Sequence, residues 1–397
     1  MNYKICCLTI LLLTSLVLKA QYKRDTTFID KALDNKLTRI SLISLPLFLQ
    51  GVKMNNEKID FSNYRRIHQP NFSVSIDDYT QYFPLALTFG LKLSGVKSNS
   101  SWAKLLSVSF LAFLLDYGTV TIMKKNIYAK RPDISGNNSF PSGHTSFAFM
   151  NAHIFVKEYA TNNYLYSTLA YTLASFTGAM RVMNNRHWVA DVLAGASIGM
   201  FSTELAYYLG DLFFKKNNQT IYNETKRRNT FIGLTTSYNY SFNNYSLSDK
   251  RKIKFLNGGS VGTNVGYFYN KYMGNALSLD YSNYRYYDPY SWNKRNLSFY
   301  YVGINQYFSL PLHSRIILNS NLGVGYAYSE HYTDASLSKL SKQDHLRYEI
   351  GGNITLVLSN HTSLSFFASY TRTNIEIEKT HFPFKTLNIG NSIALTF

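Results

Sequence analysis

The last eleven residues, Leu387-Asn-Ile-Gly-Asn-Ser-Ile-Ala-Leu-Thr-Phe397, decide the architecture of the C-terminal half. Leu387, Ile389, Ile393, Leu395 and Phe397 alternate with Asn388, Gly390, Ser392, Ala394 and Thr396. In an extended strand this period of two gives one large apolar face and one small or polar face. Ile316 to Ser329 repeats the pattern, as do Ile232–Tyr240, Val261–Tyr269, Ile354–Leu358 and Leu364–Tyr370. A soluble sandwich would carry charges on its polar face. Small uncharged residues instead suit the lumen of a narrow barrel whose apolar face meets lipid.

Working outward, eight strands are expected near 230–241, 259–269, 274–286, 296–308, 313–329, 345–358, 362–373 and 387–397. Asn270–Met273, Ser309–Leu312 and Ser359–His361 read as short turns, and the other connections as longer and polar. That alternation resembles the small bacterial outer-membrane barrels, and Phe397 resembles their terminal assembly residue. The reading for 230–397 is therefore an eight-stranded antiparallel transmembrane β-barrel. Its interior is just wide enough for side chains, so a plugged lumen is expected. An even strand number with short turns facing the periplasm puts both barrel ends on that side.

Upstream the period changes. Residues 215–229 are polar and charged and read as a linker; before them, apolar residues come in long helical stretches. Six helices are expected, at about 37–52, 78–94, 102–124, 143–159, 164–181 and 187–214, making 21–214 an all-α bundle. Residues 1–20 read as a signal peptide: Lys4, an uncharged run from Ile5 to Leu18, and Ala20 at the cut. The only cysteines, Cys6 and Cys7, fall inside it, so the remainder has no disulfide or thiolate metal site. A 15-residue linker reaches at most about 50 Å. The bundle is accordingly expected in the periplasm, beneath the barrel or dipping into the inner leaflet of the outer membrane.

The chain carries 41 Lys+Arg against 23 Asp+Glu, a formal charge of +18, while aromatics reach 16%. So many aromatics exclude a disordered chain. The positive excess calls for anionic partners, and with no basic arm in the sequence these are lipid or phosphate rather than nucleic acid.

Three segments gather cations and histidines where apolar helices end. Lys124 and Arg131 lie seven apart, before Pro132; Pro141-Ser142-Gly143-His144 opens a helix; Arg181, His187 and Asp191 follow. Arg and Lys clamp oxyanions, and a helix start supplies free N–H groups for an anion. His187 and Asp191, four apart on one helix face, let the carboxylate orient the imidazole and free its other nitrogen to attack phosphorus. Asp116 and His153 read as core or packing residues, and Lys250–Lys254 as an exposed loop contact to acidic saccharide or phosphate.

Together these residues resemble the signature of the type-2 phosphatidic acid phosphatase superfamily, which includes the vanadium haloperoxidases: K-x6-RP, PSGH, and SR-x5-H-x3-D. One position departs, Met180 standing where the family has serine, which removes one phosphate contact. The resemblance implies His187 as nucleophile forming a phosphohistidine, Asp191 holding it, and His144 as general acid and then base. It implies Lys124, Arg131, Ser142, Gly143 and Arg181 as the phosphate cradle, with no metal and no cofactor. The implied activity is a phosphatase on phosphorylated lipids, such as lipid A, phosphatidate-type lipids or polyprenyl pyrophosphate, at the periplasmic face of the outer membrane. Alternatives are an acid phosphatase on small soluble phosphate esters, a vanadate-dependent haloperoxidase, or a non-catalytic outer-membrane binding protein.

Overall fold

A computed structural model describes residues 44–55, 72–159, 164–214, 229–246, 252–287, 294–333, 339–359, 362–377 and 380–396, apart from 46, 53, 243 and 247–251 and 314. The expected signal peptide, most of the linker, Lys250 and Phe397 lie outside the described residues.

The described helices are seven. Helix α1 takes in the described residues 44, 45, 47–52, 54 and 55. Then come α2 (Asp77–Thr80), α3 (Phe83–Leu93), α4 (Trp102–Asn126), α5 (Gly143–Tyr159), α6 (Tyr164–Met183) and α7 (Val189–Phe213). The single helix expected over 78–94 is split at Gln81–Tyr82. Pro84 sits in the first turn of α3, where its missing N–H costs no hydrogen bond. Ser101 caps α4 by accepting from the Lys104 N–H. Helices α5 and α7 approach until backbones touch: a Cβ on Gly195 would stand 2.5 Å from the Ser142 carbonyl oxygen. The bundle core runs through Leu105, Val108, Met150, Ile154 and Ala206, with a second layer at Ala148, Phe155, Ala170 and Ala174.

The strands are β1 (Thr230–Ser241), β2 (Asn244–Ser246), β3 (Lys252–Phe255), β4 (Gly258–Phe268), β5 (Met273–Tyr287), β6 (Lys294–His313), β7 (Ile316–Thr333), β8 (Lys339–Ser359), β9 (Thr362–Ile377) and β10 (Thr380–Thr396). Eight of them, in the order β5-β4-β1-β10-β9-β8-β7-β6, form an antiparallel sheet that the β5–β6 pairing closes into a barrel. Closure removes every sheet edge. The expected faces hold: Asn388, Ser392, Ala394 and Thr396 line the lumen, while Ile389 is exposed on the outside.

Several local expectations fail. Ser309–Leu312, read as a short turn, lies in β6 and pairs with β7, and 330–333 and 339–344, read as connection, extend β7 and β8. The stretch 374–386, read as a long loop, is mostly strand, with Phe382 opposite Ile375 and Phe384 opposite Thr373, because ladder pairing overrides its polar composition. The link after β1 is not simply loop either, since β2 and β3 fold as a hairpin that joins β5. Ile253 and Phe255 of β3 then pack on Tyr284, Tyr286, Leu297, Phe299, Ile375 and Phe384, sealing the barrel at the end opposite its short turns. Towards the short-turn end the lumen keeps a cavity of about 350 Å³ lined by Asn305, Asn319, Asn321 and the Asp280–Arg347–Glu349 group.

The two halves meet at the barrel wall, not beneath it. Thr236 on β1 donates from Oγ1 to Gln50 Oε1 at 2.7 Å, both buried. Leu47, Met54, Ala190 and Leu193 share one cluster with Tyr238, joined by Trp188, Tyr240, Val261, Tyr281 and Ile393. The apolar outer face of β1, β4, β5 and β10 is what buries the apolar side of α1 and the start of α7, which a polar rim below the barrel could not do.

Candidate active site

The site is built where α4 ends, α5 begins and α7 begins. Between α4 and α5 the loop is pinned by an Ala129–Asn138 bridge and by Phe140 and Ala129 packing on Ala194. This fixes Asn138, whose carbonyl oxygen accepts from Lys124 Nζ at 2.6 Å and whose Oδ1 accepts from Arg131 Nε at 3.1 Å. At the α6–α7 break, Asn185 takes the left-handed backbone (φ 59°), a conformation asparagine tolerates better than most residues. Arg186 and His187 both donate their N–H groups back to the Arg181 carbonyl oxygen. The break thus sets Arg181 and His187 side by side.

All eight residues picked from the sequence converge. Asp191 Oδ2 lies 3.3 Å from His187 Nδ1 and accepts from the Trp188 N–H at 2.9 Å, so one carboxylate oxygen caps α7 and orients the imidazole. Lys124, Arg131, Arg181 and Asp191 stand within electrostatic reach of one another. Gly143 lies against the Lys124 side chain, 3.9 Å from Cε to the position a Cβ would take. Arg181 is almost buried, and among the described residues its Nε has no hydrogen-bond partner.

One expectation needs correcting. The Ser142 N–H is not free for an anion, because it donates to the Asp191 carbonyl oxygen at 3.0 Å, while its hydroxyl pairs with Thr145. Ser142 instead ties the start of α5 to the start of α7. Gly143 and His144, in the first turn of α5, keep the N–H groups that a helix start leaves without an internal partner.

The structure also adds residues that spacing did not reveal. Ser139 Oγ donates to Asp191 Oδ2 at 2.5 Å and stands 3.4 Å from His187 Nδ1. Helix α2 brings two carboxylates to the site: Asp77 Oδ2 accepts from Arg181 Nη1 at 2.6 Å, and Asp78 Oδ1 lies 3.0 Å from His144 Nε2. Asn184 holds this segment by bonding Val74 and Asp77. The adjacent Asp77-Asp78 pair among uncharged residues was the available signal, but nothing in its spacing linked it to His144.

Burial sets the protonation states. His187 is pushed down to about 4 by desolvation, against the pull of Asp191, so its ring is neutral near pH 7. His144 is lowered by burial and by Arg181, with Asp78 opposing. Asp116 accepts from Ser146 within the core, and His153 bonds Glu204 and Tyr171; both are packing groups, as expected.

Residues 101–214 match the PAP2 superfamily, and this segment is a PAP2 superfamily domain. The lipid A 1-phosphatase of Porphyromonas gingivalis is 36% identical over 203 residues, covering 50% of this chain and 46% of that protein. The chain thus spans about half the length of this curated relative. Among solved structures, Aquifex aeolicus LpxE is 20% identical over 36% of this chain and 93% of its own, with a TM-score of 0.29. Neisserial surface protein A is 16% identical over 42% of this chain and 97% of its own, with a TM-score of 0.31.

Proposed function

We propose that the helical domain is a histidine phosphatase that needs no metal and removes a phosphate from a membrane lipid, lipid A or a related phosphorylated lipid, in the outer membrane. The observation that carries this is the held imidazole. Asp191 engages His187 Nδ1, which leaves Nε2 as the nucleophilic nitrogen of a neutral ring beside Lys124, Arg131 and Arg181.

In this reading Lys124, Arg131, the Arg181 Nε and the N–H groups of Gly143 and His144 bind the phosphoryl oxygens and neutralise charge that builds in the transition state. His187 Nε2 attacks phosphorus, the P–O bond to the lipid breaks, and His144 gives its proton to the departing oxygen. His144 then takes a proton from water, whose oxygen attacks the phosphohistidine; the P–N bond breaks, releasing inorganic phosphate and neutral His187. Asp191 stabilises the cationic ring that forms in each step. The lipid A 1-phosphatase likeness supports a lipid substrate, and the apolar exterior of both halves supports a membrane setting.

The test is phosphate release by the purified full chain from lipid A, from phosphatidate and from a soluble phosphate ester, alongside His187→Ala. Release from a lipid that the variant abolishes is expected. Equal activity in the variant would refute the reading, and activity confined to the soluble ester would refute the lipid.

A further inference from the structure

Three features outside the reaction chemistry fit one arrangement. The first is the wall contact at Thr236, Tyr238 and Tyr240 described above. The second is α4, which is 25 residues long, apolar, and mostly unburied along its length. Leu106, Phe110, Phe113, Leu114 and Tyr117 are all exposed and fall on one helical stripe, with Phe110 64% exposed. The third is the belt on the barrel exterior, where Leu234, Leu277, Leu279, Val302, Ile304 and Val324 are exposed at mid-strand. Two apolar girdles side by side on one molecule have one common solvent, the acyl chains of a single bilayer.

We infer that the helical domain stands in the same bilayer as the barrel, against its wall, with the phosphate site at the level of the outer leaflet, so that the phosphorylated headgroup it takes is one presented there. This rests on the phosphatase reading for the substrate, but not for the placement.

The height follows from the strands. Thr230 and Thr396 lie at the short-turn end, which outer-membrane barrels turn to the periplasm. Thr236 is six residues up β1, about 15 Å along the axis for a strand tilted near 40°, and Tyr240 reaches about 25 Å, the height of an apolar belt. Helix α1 crosses α7 at Gly51, where a Cβ would stand 2.8 Å from the Ala190 carbonyl oxygen and 3.0 Å from the Ala194 nitrogen. Gln50, next in the chain, meets Thr236, so the first turns of α7 stand at that height. Ser197 Oγ donates to the Ser44 carbonyl oxygen, which makes α1 and α7 antiparallel.

The direction of α7 follows from its exit. Phe213 lies about 30 Å along the helix from Leu193. From there the residues between Phe213 and Thr230 must reach the foot of β1. If α7 pointed outward, that link would have to cover about 45 Å of a fully stretched reach of about 58 Å, before any sideways offset. Pointing inward, α7 ends no more than about 15 Å past the foot of β1, a span the link covers with ease. His187, Asp191 and the end of α4 are then at the outer side, next to Trp188, which packs in the wall contact with Tyr238, Tyr240 and Tyr281.

The experiment is thiol accessibility on intact cells making the full chain, with Cys6 and Cys7 changed to serine. Asn137→Cys reports the exposed loop at the site, Lys254→Cys the outer hairpin and Lys271→Cys a short turn; all three positions are exposed. A membrane-impermeant maleimide should label Asn137→Cys and Lys254→Cys on intact cells, and Lys271→Cys only after the outer membrane is permeabilised. Labelling of Asn137→Cys only together with Lys271→Cys would overturn the inference. So would failure of a short thiol cross-linker to join Gln50→Cys to Thr236→Cys. Neither readout depends on phosphate release, so a failed phosphatase assay and a failed placement are told apart.

Discussion

Changing Asp78 to Asn tests how the acid is tuned, since it removes a charge and keeps the shape. Asp78 Oδ1 lies 3.0 Å from His144 Nε2, and the Asp78 side chain is 52% exposed. At that distance a full ion pair is worth about 5 kcal/mol at an effective dielectric of 20 and about 1.4 kcal/mol in water. The half-exposed carboxylate places the pair near the lower figure, about a tenfold change in an equilibrium constant. The sign is set by burial and Arg181, which already lower His144, while Asp78 raises it. Without Asp78 the imidazolium loses its partner, and the alkaline limb of kcat/KM should move towards acid. Well above that limb the variant should lose about tenfold in rate on a lipid phosphate. It should lose far less on an ester whose leaving group needs no proton. KM should not rise, because Asp78 also lies 3.6 Å from Arg181 and its charge competes there with phosphate. The assay is a pH profile of kcat and KM for two leaving groups. An unmoved limb, or an equal loss for both leaving groups at every pH, would refute the reasoning.

Other outcomes follow from the same geometry. Orthovanadate should inhibit the full chain, because Lys124, Arg131 and Arg181 form a cradle for a five-coordinate oxyanion, and a chelator should leave phosphate release unchanged; loss on chelation with recovery on added magnesium would contradict the mechanism. Ser139→Ala should slow phosphohistidine formation while leaving the fold intact, measured as a reduced burst in rapid-quench experiments, since Asp191 loses a donor 2.5 Å away. Gly199→Ala should destabilise the bundle by about 1–3 kcal/mol through overpacking, because its Cβ would meet the Ser146 carbonyl oxygen at 2.1 Å; a lowered thermal midpoint is the check. Leu279→Lys should cost about 2–4 kcal/mol in folding into bilayers if this exposed position sits at mid-membrane, read from denaturant titration in vesicles.

The sequence carried the barrel faces and the phosphate constellation because both depend on short-range periods. An alternation of two sorts Ile389 from Asn388, and a spacing of four puts Asp191 under His187, whatever the rest of the chain does. What it did not carry depends on contacts across the fold. Asp78 is 66 residues from His144 and Ser139 is 52 from Asp191, so neither pair leaves a local trace. The Ser142 N–H looked free because a helix start leaves it so, and only the packing of α5 on α7 supplies the Asp191 carbonyl oxygen. The stretch 374–386 looked like loop because its residues are polar, yet a neighbouring strand gives its backbone partners at Ile375 and Thr373.

The wall contact was illegible for a subtler reason. Tyr238, Tyr240 and Tyr281 are what a lipid-facing strand carries anyway, so nothing in their identity separates a surface meeting acyl chains from one meeting a helix. Thr236 is the exception. A hydroxyl on the outward face of β1, amid Leu234 and Tyr238, is poorly suited to hydrocarbon, and opposite it on β10 stands another polar residue, Asn391. In the fold the Thr236 hydroxyl meets Gln50 Oε1 and Asn391 Oδ1 within a buried patch. Polar groups on a barrel exterior are costly in lipid and cheap beneath a protein partner that bonds them. The misplaced pair therefore marked the docking face of the helices, and a tether alone would have had no use for it.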